Sequence, residues 1–93
     1  MSTVDLSFDA ARAYRLDPAV ALRPEPFGAL AYHYGNRRLT FLRSPDLVAL
    51  VRDVEHHDSV DQALAVSGID PARWPVFRKA LASLAEAEVL RAR

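Results

Sequence analysis

Cysteine is absent from the sequence, and so is any apolar run long enough to span a membrane. Without cysteine, disulfides, thiol nucleophiles and thiolate metal sites are excluded together. A membrane-spanning helix would need about 20 consecutive apolar residues. The first residues also lack the basic stretch followed by an apolar one that a secretory signal requires. We therefore expect a cytoplasmic protein with no membrane partner.

Net charge is absent as well, because twelve basic residues balance twelve acidic ones. Domains that bind nucleic acid usually carry an excess of positive charge, so this balance disfavours a nucleic-acid partner. The length of 93 residues and the hydrophobic content of 51% fit one domain with a single core. Residues 1–13 show no sustained period and predict a loose N-terminal arm, with residues 14–93 as the single domain.

Residues that could carry catalysis are few. The three histidines, His33, His56 and His57, do not have the spacing of a pair of metal ligands. The serines lack the glycines of a nucleophile elbow, and the three isolated glycines do not form a phosphate-binding loop. We expect no catalytic residue, no metal and no cofactor, and hence no enzyme.

Alternation of apolar residues with a period of two predicts three strands in the first half. Residues 14–23 form the first strand, and the segment 24–26 reads as a connector because its two prolines cannot donate to a ladder. Residues 27–34 and 38–43 alternate on either side of Gly35-Asn36. That pair tolerates the positive φ of a two-residue hairpin turn.

The period changes to 3.6 after the third strand and predicts helices. Ser44 is the expected N-cap of a first helix that runs to about residue 55, with proline at its first position. A capping box formed by Ser59 and Gln62 predicts a short second helix that ends near Gly68.

The third helix is expected to be the longest element. It begins between Pro71 and Pro75, and its apolar stripe continues to Val89 and Leu90 through good helix formers. The order of elements is thus three strands followed by three helices. This order predicts an α+β fold in which a three-stranded antiparallel sheet packs against a helical half.

Arginine and aromatic residues cluster on the predicted hairpin and allow three interpretations. They indicate a nucleic-acid surface, an ordinary solvated hairpin, or a sheet edge complementary to an acidic peptide. An unpaired edge strand is a template for another strand, and each added backbone hydrogen bond contributes a net ~0.5–1.5 kcal/mol. On the edge interpretation, proline at Thr40 is expected to remove a ladder donor and weaken peptide binding.

The apolar stripe of the third helix allows two interpretations. Trp74, Phe77 and Leu84 are expected in the core. The flanking positions would line a groove beside the third strand, where small alanines leave room for the side chains of a partner.

Three segments of the sequence resemble a known family. They are Arg23-Pro-Glu-Pro-Phe-Gly-Ala-Leu30, Tyr32-His33-Tyr34-Gly35 and Leu39-Thr-Phe-Leu42. They resemble the mycofactocin peptide chaperones, and the likeness extends from Phe8 to the C-terminus. The order of elements is also similar to that of the PqqD-like peptide recognition domains, which are winged-helix-like folds with three strands followed by three helices.

This resemblance implies a role without chemistry of its own. Such proteins hold the leader part of a ribosomally made precursor peptide and present it to a radical S-adenosylmethionine maturase. In that family the leader adds as a strand beside the third strand and packs against the third helix. The corresponding residues here are Arg38, Leu39, Thr40, Phe41, Leu42 and Arg43 on the strand, and Arg78, Leu81, Ala82 and Ala85 on the helix. A monomer is expected rather than a dimer.

The competing hypothesis is a winged-helix transcription regulator. The third helix would then enter the major groove, and the hairpin would act as the wing. The zero net charge and the acidic residues Glu86 and Glu88 on that helix weigh against it.

Overall fold

The computed structural model describes residues 8–93, so the beginning of the predicted arm lies outside the described part of the chain. The strands are β1 (Tyr14–Leu16), β2 (Val20–Glu25), β3 (Gly28–His33), β4 (Leu39–Leu42) and β5 (Leu90–Ala92). The helices are α1 (Pro45–Asp53), α2 (Val60–Ala65) and α3 (Trp74–Glu86), with 3-10 turns at Val54–His56 and Pro71–Arg73. The antiparallel sheet has the order β2-β3-β4, and β1 pairs with β5. The predicted α+β class is confirmed.

The core lies between the three-stranded sheet and the helices. On β3 the small residues Ala29 and Ala31 point inward and are buried, which lets α1 pack closely on the sheet. The buried apolar residues of the helices complete this core: Leu47, Leu50, Val51, Val60, Ala63, Leu64, Phe77, Leu81 and Leu84.

The expected first strand is two strands. The chain turns after Leu16, where Asp17 accepts the backbone N–H of Ala19 with its side chain and that of Val20 with its carbonyl. This local turn, which contains Pro18, separates β1 from β2. Strand β1 then pairs with β5 near the C-terminus, in a sheet of its own.

Pro24 lies inside β2 and faces Ala29 in the ladder, so its assignment to a connector was wrong. The reason is the phase of the ladder. The N–H of Tyr34 donates to the carbonyl of Ala19, and alternation from that bond turns the nitrogens of Val20, Leu22 and Pro24 away from β3. Proline is tolerated at such outward positions of an edge strand.

The β2–β3 turn at Pro26 and Phe27 is the two-residue turn of the sheet, whereas Gly35-Asn36 belongs to a longer loop. In that loop Arg37, not Gly35 or Asn36, has the positive φ, at 62°. The buried His33 explains the difference, because its Nδ1 accepts the N–H groups of Gly35 at 3.0 Å and Asn36 at 3.1 Å. The two-residue primed turn predicted here was therefore wrong.

Helix α3 ends at Glu86, four residues before the predicted limit at Leu90. Glu88 has a φ of 64°, and its N–H donates to the carbonyl of Ala85. The N–H of Val89 donates to the carbonyl of Leu84, which completes a Schellman motif. This motif stops the helix without a glycine, and Leu90 enters β5 instead.

The predicted N-caps of the first two helices are present. The hydroxyl of Ser44 accepts the N–H of Leu47 at 3.3 Å, and that of Ser59 accepts the N–H of Gln62 at 3.0 Å. The Gln62 side chain accepts from the N–H of Asp58 rather than from Ser59, so the capping box is shifted by one residue.

Candidate functional site

Strand β4 forms one edge of the three-stranded sheet. It pairs with β3, and within residues 8–93 its other side has no strand beside it. The N–H of His33 donates to the carbonyl of Arg38, which fixes the phase of the β3–β4 ladder. By alternation, the N–H groups of Leu39 and Phe41 point outward, away from β3. These outward groups form the backbone row to which an added strand would bond.

The opposite edge, β2, differs in one respect. Pro24 occupies an outward position there and interrupts the row of donors. Strand β4 has no proline. Of the two edges of this sheet, β4 is therefore the one with an intact backbone row, as natural sheets commonly protect an edge with proline. The signal in the sequence is Pro24 itself, which the local pattern places in a connector and the structure places in β2.

Thr40 lies in β4 opposite Ala31. The same alternation turns the Thr40 N–H inward, to the internal ladder with β3. Substitution of Thr40 by proline would therefore remove a hydrogen bond between β4 and β3. It would not remove a donor to a guest strand. The donors available to a guest belong to Leu39 and Phe41, one position to either side.

The side chains of the predicted strand site differ in exposure. Leu39 and Phe41 are 59% and 49% exposed, whereas Leu42 is fully buried in the core. Arg38 and Arg43 are exposed at the two ends of β4, and neither has an ion-pair partner among the described residues. The edge thus offers two apolar side chains between two cations.

The predicted helix residues lie on α3 but do not share one environment. Leu81 is fully buried in the core, and Ala82 and Ala85 are partly buried. The Nε of Arg78 donates to the Oδ1 of Asp61 at 2.9 Å, so its polar contact is with α2. A groove between this side of α3 and β4 stays a prediction.

Four large side chains of the sheet point away from the helices. Leu30 and Tyr32 on β3 lie opposite Phe41 and Leu39 on β4, and all four share the outer face. A cavity of about 390 Å³ opens on this face, lined by Ala21, Arg23, Leu30, Tyr32, Tyr34 and Leu39. The alternation of alanine with Leu30 and Tyr32 along β3 is the signal in the sequence that could have identified this face.

The histidines occupy three separate settings. His33 is buried beneath the hairpin loop, with its Nε2 3.8 Å from Asp17. His57 contacts Asp53 at 2.8 Å, and His56 lies 3.9 Å from Glu55 on the surface. In the described part of the chain, no three His, Asp or Glu side chains are grouped so as to hold a metal ion.

None of the helices among residues 8–93 has the length and the apolar composition that a membrane span requires. The fold is that of a small α+β domain whose three-stranded sheet has one edge without proline. A family model for the peptide chaperone MftB family matches residues 13–91. The chain belongs to this family, and the resemblance seen in the sequence is confirmed.

Curated relatives give the same result. The chain is 42% identical to the peptide chaperone MftB of Mycobacterium ulcerans, over 90% of this chain and 77% of the relative. It is 40% identical to that of Mycobacterium tuberculosis, over 89% and 76%, and 36% identical to that of Mycolicibacterium smegmatis, over 91% and 83%. No solved structure gives a significant match. The role in these names is non-catalytic, in agreement with the expectation that the chain is not an enzyme.

Proposed function

We propose that this protein is a stand-alone chaperone that binds the leader of the mycofactocin precursor peptide as an added strand along β4 and presents it to a radical S-adenosylmethionine maturase. The observation that carries the proposal is the intact outward backbone row of β4. Membership of a peptide chaperone family supports a peptide as the guest.

Several features of β4 support the strand-addition mode. The outward N–H groups of Leu39 and Phe41 need partners, and an extended peptide supplies carbonyls at the matching spacing. The cations Arg38 and Arg43 favour a guest with carboxylates near its ends. Helix α3, with Ala82 and Ala85 partly buried beside Arg78, is the proposed second wall of the site.

The test is proline at the outward position 41. Phe41→Pro removes one donor to the guest while leaving the internal ladder intact, as Pro24 does on the other edge. Phe41→Ala is the matched control, because it removes the same ring and keeps the N–H. We expect calorimetry to show that Phe41→Pro binds the precursor peptide roughly 3- to 10-fold more weakly than Phe41→Ala, the effect of about one net hydrogen bond.

The outcome that contradicts strand addition is equal peptide affinity of Phe41→Pro and Phe41→Ala, with both variants folded by circular dichroism. A wild-type protein that does not bind the precursor peptide would contradict the proposed function as a whole.

A further inference from the structure

The outer sheet face, formed by Leu30, Tyr32, Leu39 and Phe41, is an apolar surface over which no helix of residues 8–93 lies. Along β3 the apolar residues Ala29 and Ala31 face the core, whereas the larger Leu30 and Tyr32 face outward. Folding alone favours the reverse arrangement, because burial of the larger apolar side chains would stabilise the core more. A contiguous apolar patch of this kind is typical of an interaction site.

The aromatic side chains on this face already contact one another. The rings of Phe27 and Phe41 are stacked with centroids 5.7 Å apart, and Tyr32 and Tyr34 make an edge-to-face pair at 4.9 Å. The guanidinium of Arg43 lies over the Phe41 ring, 4.9 Å from its centroid. Side chains ordered in the free protein lose little conformational entropy on binding, which favours a protein interface.

Arginines lie at two sides of the outer sheet face. Arg23 lies at the β2 side and pairs with Glu25 at 2.8 Å. Arg43 lies at the β4 side, with its guanidinium over the Phe41 ring. Arg37 and Arg38 lie in the loop that precedes β4, and the described residues provide no acidic partner for these three arginines. Aromatic residues and arginine are the types enriched at protein interfaces, and these cations call for carboxylates on the partner.

Charge also decides between occupants. A second copy docked face to face would bring arginines against arginines, which is unfavourable. A nucleic acid would use the arginines and rings but would gain little from Leu30 and Leu39 at the centre of the face. The occupant that satisfies both the apolar centre and the cationic rim is a folded protein with an acidic rim around apolar side chains.

We propose that the outer sheet face docks such a protein and that, given the proposed function, this protein is the maturase. The peptide bonds to β4 in the plane of the sheet, whereas the maturase contacts side chains that project from that plane. The two partners therefore bind at the same time, and the guest peptide lies at the border of the maturase contact.

The test is the double variant Leu30→Thr/Tyr32→Thr on the central strand. Threonine keeps the strand propensity and removes the apolar anchors. Val76→Thr is the matched control, since Val76 is an apolar residue of α3 that is 69% exposed outside the face. With the peptide saturating, we expect the double variant to bind the maturase at least tenfold more weakly than Val76→Thr, and to bind the peptide within twofold of wild type.

A second variant keeps the test decisive if the double variant does not fold. Arg23→Glu reverses the charge at the rim farthest from β4, and we expect several-fold weaker maturase binding at low salt with peptide affinity unchanged. The proposal is overturned if the folded variants bind the maturase as Val76→Thr does, or if wild type does not bind it. It is also overturned if single-stranded DNA binds wild type tightly and loses affinity in the double variant. Peptide affinity is measured separately, so failure of docking and failure of peptide binding are distinguishable.

Discussion

Gly28 begins β3 at a point where the chain leaves no room for a side chain. Its φ is 149°, and a Cβ added there would lie 2.1 Å from the carbonyl oxygen of Leu42. Gly28 and the Leu42 carbonyl both belong to the backbone of the sheet, so neither can move unless the spacing between β3 and β4 changes. The residue therefore controls how closely β4 approaches β3, and with it the position of the proposed peptide edge.

Gly28→Ala is expected to destabilise the protein by about 2–4 kcal/mol, because backbone strain and a collision add together. The matched control is Gly68→Ala, where φ is 84° and an added Cβ meets no atom within 4 Å. Its cost should be about 1–2 kcal/mol, the strain alone. Urea denaturation measures both. Equal stability of the two alanine variants would contradict the role given to the β3–β4 contact.

At the scale of elements, the end of α3 shows how a helix stops without glycine. Glu88 occupies the left-handed position of the Schellman motif, and Val89 and Leu84, the positions of its usual apolar contact, are both buried. A non-glycine residue in this conformation costs about 1–2 kcal/mol. The strained turn has a structural role, because it directs Leu90 into β5, which pairs with β1 in the second sheet.

Glu88→Gly is therefore expected to stabilise the protein by about 0.5–1 kcal/mol, the relief of strain less the greater freedom of glycine in the unfolded chain. The expected rise in Tm is roughly 2–8 °C. Glu86→Gly is the control, because Glu86 is the last residue of α3, and the same substitution there should lower Tm. A fall in Tm for both variants would argue against a strained Glu88.

Local signals were sufficient to predict part of the fold and no more. The alternation along β3 and the N-cap at Ser44 act over a few residues, and the structure follows both. Strand β5 is short and pairs with β1 from the other end of the chain, so no local pattern indicates it. The pattern over residues 14–23 also does not show that β1 and β2 belong to different sheets. The same limit applies to the site: residues 38–43 were predicted, but which N–H groups point outward depends on the long-range register of the ladder.

At the scale of the whole molecule, positive and negative charges are equal in number but unevenly distributed. The net charge is zero, yet Arg37, Arg38 and Arg43 lie around one strand. Over such a cluster the local potential is positive, and salt screens it within about 10 Å at 0.1 M. Composition alone could not predict this, but the sequence does, because the three arginines lie within seven residues on the predicted hairpin.

Binding of an acidic peptide should therefore weaken as salt is raised from 50 to 500 mM. The double variant Arg38→Gln/Arg43→Gln is expected to reduce that dependence. Arg12→Gln/Arg52→Gln changes the net charge equally at exposed positions away from β4 and should leave the dependence close to that of wild type. Titrations at several salt concentrations measure this, and identical slopes for the two double variants would contradict a local field.

The proline in β2 has a consequence for assembly. Filaments grow when each subunit offers two compatible strand edges, so that every addition leaves a fresh one for the next molecule. In the three-stranded sheet, Pro24 interrupts the row of backbone donors on the β2 edge. Self-association through this sheet would then stop at a β4-to-β4 pair, and that pair would compete with the proposed guest peptide for the same backbone groups. A high concentration of the protein would thus reduce the fraction of molecules free to bind peptide, without starting a fibre.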